Sequence, residues 1–275
     1  MSLTKIQSKI LRLLAAHRDP ESYVAGSTPL NRNTLRFSGD IDVFHDRQER
    51  VGQAAKNDCS VLEREDFKVI WLRQEPAIYT AEIGDGEEST FLDWVADSDF
   101  RFFPTVKDEL FGYVLHPVDL ATNKLMAAAG RRNPADLVDL LAIHEKVLPL
   151  GAVIWAAVEK APGFTPEGVI NEIRRTWNYT KEELQEEVQT TEPIEPKAFY
   201  ARLRSVFDEA EAFVSRMPAE KAGLLFLKGG QVVQPDPEKL DAYQVHAGQR
   251  RGHWPSSSEI STAMLEKTTT KPNGE

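Results

Sequence analysis

Two aspartates at alternate positions, Asp40 and Asp42, are the residues of this chain best suited to do chemistry. They lie in residues 40–44, where acidic and apolar side chains alternate as in a half-buried strand. Because side chains two positions apart on a strand share a face, the two carboxylates would lie side by side. Carboxylates in contact raise each other's pKa unless a cation separates them. Since Mg²⁺ prefers oxygen ligands, the spacing predicts a metal site that handles phosphates.

A small-residue turn, Gly26-Ser27, precedes these aspartates and could supply the other half of such a site. Residues 23–25 are typical of the end of a buried strand, and residues 28–30 of the first turn of a helix. Glycine lets the backbone approach a ligand closely, and the free amides at a helix start attract anions. The turn therefore predicts phosphate binding by Gly26 and Ser27.

Two sequence blocks together resemble a known family. The first is SGDIDVF at residues 38–44, and the second is PVDLATNKLMA at residues 117–127, followed by Arg131 and by DLVDL at residues 136–140. In this order they resemble the DNA-polymerase-β-like nucleotidyltransferases and, among these, the AbiEii-type nucleotidyltransferases. Many AbiEii-type proteins are toxins of bacterial toxin–antitoxin and phage-defence systems.

The resemblance implies an α/β (α+β) fold in which a nucleotidyltransferase core with a mixed sheet is followed by a helical C-terminal region. We expect the core at residues 1–115 and a helical domain at residues 116–228. Residues 229–275 are rich in Pro, Ser, Thr, Gly and charge, which predicts a flexible tail. Within that tail, residues 243–254 could instead contact RNA or pack onto the helices.

A third carboxylate, Asp93, lies in a predicted strand after the Gly-Asp-Gly turn at residues 84–86. The turn joins residues 77–83 to residues 89–95, and both segments have the composition of strands, so a hairpin is predicted. In polymerase-β-like proteins a third acid lies on a strand next to the paired aspartates. The resemblance thus implies that Asp93 is a metal ligand. A solvent-facing residue or an ion pair is the alternative.

Lys124 and Arg131 are the cations that the resemblance assigns to the nucleotide. Lys124 lies in a predicted helix of small residues, from which it could also extend to solvent. The family pattern implies that its ammonium group contacts the triphosphate and that Arg131 lies nearby. Asp136 could be catalytic or simply stabilise a helix start. Asp139, one turn further on, has no such explanation, and we favour it as catalytic.

The predicted site therefore has three groups of residues. The metal ligands are Asp40, Asp42 and Asp93. The catalytic group contains these three with Lys124 and Asp139. The nucleotide-binding group is Gly26, Ser27, Ser38, Lys124 and Arg131. Because no base is adjacent to Ser27 or Ser38 in sequence, we assign the two serines to phosphate contact and to a strand-edge hydrogen bond rather than to nucleophilic attack.

The composition restricts the class of protein. The chain has 275 residues, of which 41% are hydrophobic and 28% charged, and its net charge is −10. This acidity argues against a broad nucleic-acid-binding surface, which is normally basic. A single cysteine, Cys59, fits a reducing compartment, and no apolar segment has the length of a membrane span. With no signal-peptide core either, we expect a cytoplasmic protein.

These observations predict an Mg²⁺-dependent enzyme that transfers a nucleoside monophosphate from an NTP to an acceptor hydroxyl. By resemblance the acceptor is RNA, with tRNA the first candidate, and an antitoxin could be encoded nearby. Two alternatives stay open from the sequence. One is a small-molecule transferase of the aminoglycoside-adenylyltransferase kind, which acidity would suit because the substrate is cationic. The other is a non-catalytic nucleotide-binding module.

Overall fold

The structure of the protein is a computed structural model that describes residues 3–32 and 34–255. Its helices are α1 (Lys5–Leu14), α2 (Ser27–Leu30), α3 (Gln48–Arg64), α4 (Pro117–Gly130), α5 (Pro134–Lys146), α6 (Leu150–Ala157), α7 (Pro166–Thr176), α8 (Lys181–Glu186) and α9 (Pro196–Val214). Its strands are β1 (Ser22–Ala25), β2 (Asp40–His45), β3 (Lys68–Glu75), β4 (Ile78–Gly84), β5 (Ser89–Ala96), β6 (Phe100–Arg101), β7 (Val106–Asp108), β8 (Gly112–Val114), β9 (Leu225–Lys228), β10 (Gln231–Val233), β11 (Gln244–His246) and β12 (Gln249–Arg250).

A mixed seven-stranded sheet with the order β3-β4-β5-β2-β1-β8-β7 forms the first part of the molecule. β2 runs parallel to β5 and β1 parallel to β8, whereas the other neighbours are antiparallel. Alternate strand residues pack with α1 and α3 on one face, and the buried ones include Ile41, Val43, Leu92 and Trp94. The residues between them, among them the aspartates, lie on the opposite face. This is the mixed α/β fold that the sequence predicted.

The local signals read from the sequence form the expected elements. β4 and β5 pair as an antiparallel hairpin across residues 84–86, with Gly86 at a φ of +95°. α5 begins after Asn133, whose side chain accepts a hydrogen bond from the amide of Ala135 at 2.9 Å. Pro134 occupies the first helical position, where its missing N–H costs nothing. Both elements lead directly to residues of the predicted site.

The helical region surrounds α6, whose residues are all buried. α4 contacts α5, α6 and α7, while α9 packs on α6 and α7. Leu120 of α4 also packs with Tyr23 and Ala25 of β1, which joins the helices to the strand that ends at Gly26. The division near residue 115 remains a prediction. Within the described part of the chain, no helix is both long and apolar enough to cross a membrane.

Residues 229–255 are folded, where the sequence predicted a flexible tail. β10 and β11 pair with β9 in a small antiparallel sheet, and β12 pairs with β6. Arg250 and Arg251 form ion pairs with acidic residues that precede β6 in the chain. The charge-rich composition was misleading because these arginines pair with acids at the surface, and stay exposed there, while the backbone of the segment pairs with β6 and β9. The remainder of the predicted tail, residues 256–275, lies outside the described residues.

Candidate active site

Three aspartates meet on the face of the main sheet opposite α1 and α3. Asp42 of β2 is in register with Asp93 of β5, and Asp40 precedes Asp42 by two residues on the same face. Each carboxyl group places one oxygen within 4.8 Å of the other two. All three side chains are partly exposed. The parallel pairing of β2 with β5 therefore brings Asp93 to the aspartate pair, as the resemblance implied.

These three carboxylates are close together and carry like charge. Among the described residues, none of the three forms an ion pair with a lysine, arginine or histidine. Burial first, and then the charges of Asp40 and Asp93, raise the pKa of Asp42 to about 7. Burial also raises the pKa of Asp93, although the hydroxyl of Thr80 donates a hydrogen bond to it at 2.5 Å. The cluster holds mutually repelling oxygen donors, and a divalent cation fits such a set.

Gly26 lies directly against Asp42. Its φ is +66°, and a Cβ built on it would overlap the Asp42 carboxylate. β1 ends at Ala25, which pairs with Asp42, and the chain then turns at once into α2. Only glycine satisfies both the backbone angle and the close approach. α2 is a single turn that contains Pro29, so it offers few free amides. The main contribution of the turn is to let the Asp42 carboxylate lie directly against the backbone, in the position that a side chain would fill.

Ser27 and Ser38 form a hydroxyl pair behind the aspartates. Their Oγ atoms are 2.6 Å apart, and the Ser38 Oγ lies 3.0 Å from Oδ1 of Asp40. Thr28 donates a hydrogen bond to the carbonyl oxygen of Asp40. Because Ser38 is only 2% exposed, its hydroxyl is engaged inside the protein and orients Asp40. Contact of either serine with phosphate remains a prediction.

Lys124 belongs to a buried group of ion pairs beside the three aspartates. Its Nζ lies 3.0 Å from Asp136 Oδ1 and 3.1 Å from Asp139 Oδ2. Arg131 donates to Asp136 through Nε and Nη2, at 2.8 and 2.9 Å. Burial opposes the charged form of Lys124, but the two acids raise its pKa overall. Lys124 and Arg131 both lower the pKa of Asp42, so their positive charge reaches the aspartate cluster.

Asp139 lies inside this group and has no exposed surface. Arg36 donates to it through Nε and Nη2, at 2.6 and 2.9 Å, and Asn31 donates at 2.9 Å. Its oxygens thus contact Lys124 and two other donors from the protein, not the open site. The catalytic role that the sequence favoured for Asp139 stays a prediction, and in this placement Asp139 would act through Lys124 and Arg36. We call these residues the charge network: Arg36, Lys124, Arg131, Asp136 and Asp139.

Arg36 is the member of the charge network that sequence reasoning missed. It is 7% exposed and lies in the loop that leads to β2. The segment before α9 supports that loop, because Phe37 donates its amide to Gln189 at 2.9 Å and Thr191 donates to Leu35 at 2.8 Å. A signal was available, since Arg36 lies between two large apolar residues just before the aspartate strand. An arginine in that setting is often paired inside the fold.

Comparison with solved structures identifies the fold. MenT4, a nucleotidyltransferase toxin of Mycobacterium tuberculosis, matches with a TM-score of 0.52 and 17% identity, over 78% of this chain and 84% of that chain. The fold is that of a nucleotidyltransferase. A protein of H. pylori assigned as a nucleotidyltransferase matches with a TM-score of 0.47 and 14% identity, over 77% of this chain and 93% of that chain. Cid1, an RNA terminal uridylyl transferase, matches with a TM-score of 0.29 and 11% identity, over 97% and 86%.

No protein-family model and no curated protein matches the chain. The nucleotidyltransferase fold is therefore established by structure, at a sequence identity where sequence comparison finds no relative. Within this fold, the structure places eight of the predicted site residues at or beside the aspartate cluster: Gly26, Ser27, Ser38, Asp40, Asp42, Asp93, Lys124 and Arg131.

Proposed function

We propose that the protein is a metal-dependent nucleotidyltransferase that moves a nucleoside monophosphate from an NTP to an acceptor hydroxyl. The observation that carries the proposal is the cluster of Asp40, Asp42 and Asp93, which has no cationic partner among the described residues although burial raises the pKa of two of its members. Unpaired carboxylates at this density are costly in a structural role. A function that binds metal and phosphate accounts for them, and the nucleotidyltransferase fold supports it.

The three aspartates would hold Mg²⁺, because their carboxylate oxygens are the donors that this cation prefers. When bound, the metal would supply Lewis-acid stabilisation of the phosphate oxygens during transfer. Gly26 supports this assignment, since the lack of a side chain there lets the Asp42 carboxylate take its place in the cluster. Ser38 orients Asp40 from behind through its hydroxyl.

The charge network would bind the triphosphate. It contains three cations and two carboxylates, so it keeps one net positive charge. Two of the cations, Lys124 and Arg131, are close enough to lower the pKa of Asp42. Arg131 is the member with most exposure, at 54% of its side chain, and is therefore the one best able to contact phosphate. Lys124, which is buried between Asp136 and Asp139, would act on the triphosphate as a fixed point charge. Asp136 and Asp139 hold these cations in place.

The proposed reaction forms a bond between the acceptor hydroxyl oxygen and the α-phosphorus of the NTP. The bond from that phosphorus to the pyrophosphate oxygen breaks, and pyrophosphate leaves. The acceptor proton is transferred to Asp93, because burial raises the pKa of this carboxyl above its ordinary value and makes it a stronger base. The two carboxylates on β2 remain charged ligands in this scheme. Asp93 therefore serves as both ligand and base.

For the acceptor we propose RNA, with tRNA the first candidate. The sequence blocks at residues 38–44 and 117–140 resemble the AbiEii-type nucleotidyltransferases, and MenT4 is itself a nucleotidyltransferase toxin. By this argument the protein would be the toxin of a toxin–antitoxin or phage-defence system, with an antitoxin encoded nearby, and it would act in the cytoplasm.

One experiment separates this proposal from its alternatives. The protein is incubated with each labelled NTP, Mg²⁺, and either total RNA or an aminoglycoside, and the labelled products are resolved. We expect labelled RNA with one preferred NTP, and none with the Asp42→Asn variant. Asp241→Asn is the matched control, because Asp241 is exposed. A labelled aminoglycoside would favour the small-molecule enzyme. NTP binding without any product would indicate a nucleotide-binding module.

A further inference from the structure

The sheet face that carries the aspartates continues across β5 and β4 to the edge strand β3. Strand pairing places its side chains in two rows that end at the aspartates. The first row is Ile70, Glu82, Phe91 and Asp40, and the second is Arg73, Thr80, Asp93 and Asp42. We call these two rows, together with Lys68, the open sheet face.

Phe91 is the unusual residue of the open sheet face. It lies on β5, an internal strand, next to Asp40 in the first row, yet 44% of its surface is exposed. Its neighbours along the strand, Thr90 and Leu92, are buried on the other face. Ile70, two strands away in the same row, is 39% exposed. An aromatic ring is therefore presented to solvent beside the carboxylates, and an aliphatic side chain is presented on the same face two strands away.

Cations lie on the far side of the same surface. Lys68 and Arg73 both belong to β3, two strands from Asp93, which is about 10 Å at ordinary strand spacing. Arg73 is in the row of Asp93 and lowers its pKa, although it also pairs with Glu75 at 2.7 Å. The register of β3 shifts between Trp71 and Arg73, which sets the direction of the arginine. Phe91 thus lies beside Asp40 and on the same strand as Asp93, and the two cations lie on the edge strand beyond Thr80 and Glu82 of β4.

We propose that the open sheet face binds the acceptor, and that this acceptor is the unpaired 3′ end of an RNA chain. The terminal base stacks on Phe91, so that its ribose hydroxyl reaches Asp93, and the backbone phosphates lead toward Arg73 and Lys68. Aromatic stacking beside cations is the usual way in which proteins hold single-stranded nucleic acid. This inference rests on the proposed function, and it assigns the acceptor side of the same site.

Binding tests the inference without depending on turnover. A fluorescein-labelled oligoribonucleotide with an unpaired 3′ end is titrated by anisotropy into the wild type and into the Phe91→Ala and Phe91→Trp variants. We expect Phe91→Ala to weaken RNA binding by about tenfold, the effect of losing one stacked base. Phe91→Trp should restore binding, and the affinity for an NTP should not change in either variant. Phe164→Ala is the control, because Phe164 is 41% exposed but belongs to the helical region.

Three outcomes would overturn the inference. In the first, RNA binds the Phe91→Ala variant as tightly as the wild type. In the second, binding is lost in Trp177→Ala instead, which would place the acceptor in the cavity of about 360 Å³ lined by Trp177 and Tyr200. In the third, a fully base-paired RNA binds with the same dependence on Phe91. Failure of the proposed function is recognised separately, by the absence of NTP binding to the wild type in the presence of Mg²⁺.

Discussion

The aspartate cluster and the charge network lie side by side, but the charges of the first are unpaired among the described residues and those of the second are paired. Asp40, Asp42 and Asp93 face one another, and no lysine, arginine or histidine among the described residues forms an ion pair with them. Asp136 and Asp139 are more deeply buried, yet every charge near them has a partner within 3.1 Å. A buried carboxylate is stable when the protein itself supplies the counter-charge. The contrast indicates that the protein itself balances the charges of the charge network, whereas the carboxylates of the aspartate cluster would need a cation from outside the chain.

Replacing an acid in the charge network should have the largest effect on stability. Asp139→Asn leaves Arg36 and Lys124 buried with one carboxylate fewer, which should cost about 3–5 kcal/mol of unfolding free energy. The melting temperature should fall by more than about 6 °C, as calorimetry would measure. The exposed control Asp241→Asn should melt with the wild type. A stable Asp139→Asn protein that lost only transfer would instead make Asp139 a reacting group and erase the contrast.

Asp42→Asn should lower activity without lowering stability, which is the reverse of the effect expected for Asp139→Asn. It removes a predicted metal ligand, so transfer should fall by more than about a hundredfold. The metal-free fold should not weaken, because one of three repelling charges is removed. Initial rates and thermal unfolding of the same preparation check both parts. A variant that unfolds more easily than wild type would show that Asp42 has a structural partner, contrary to our description of the cluster.

The sequence predicted the aspartate cluster better than the charge network, for a physical reason. Asp40 and Asp42 share a strand, so their alternation alone fixes a common face, and Gly26 follows from the sharp turn at the end of β1. The partners of Asp139 come from a loop about a hundred residues away, as with Arg36, and no periodicity reports such a contact. The pairing of β12 with β6 was missed on the same grounds, since the two strands are distant in sequence. The pairing of β10 with β9 across Gly229 and Gly230 is local, and it was missed because the composition of the segment is typical of a flexible tail.

Two neighbouring arginines test which cation of the charge network contacts the NTP. Arg131 and Arg132 are similarly exposed, at 54% and 50% of their side chains, and each pairs with one acid. Arg131 lowers the pKa of Asp42, whereas Arg132 pairs with Glu183. Arg131→Gln should therefore weaken NTP binding by about tenfold through loss of a charged hydrogen bond. Arg132→Gln should bind NTP like the wild type, and isothermal titration would compare them. Equal losses in both variants would contradict a specific role for Arg131.

The smallest expected effect is a pH dependence confined to the aspartate cluster. The folded protein raises the pKa of Asp42 from 3.8 to about 7, so the unfolded carboxylate loses its proton at lower pH than the folded one. Between these values unfolding releases a proton, and stability therefore falls as the pH rises through that window. Asp42→Asn lacks this titration, while the other groups of the protein keep theirs.

In the presence of EDTA, the variant should have the same melting temperature as the wild type near pH 4. At pH 8 its melting temperature should be higher, by about 2–4 °C if the difference in unfolding free energy is about 1 kcal/mol. Added Mg²⁺ should close the gap at pH 8 by stabilising only the wild type. If the two proteins keep a constant offset across the pH range, the charge on Asp42 is already compensated inside the fold, and the cluster would resemble the charge network after all.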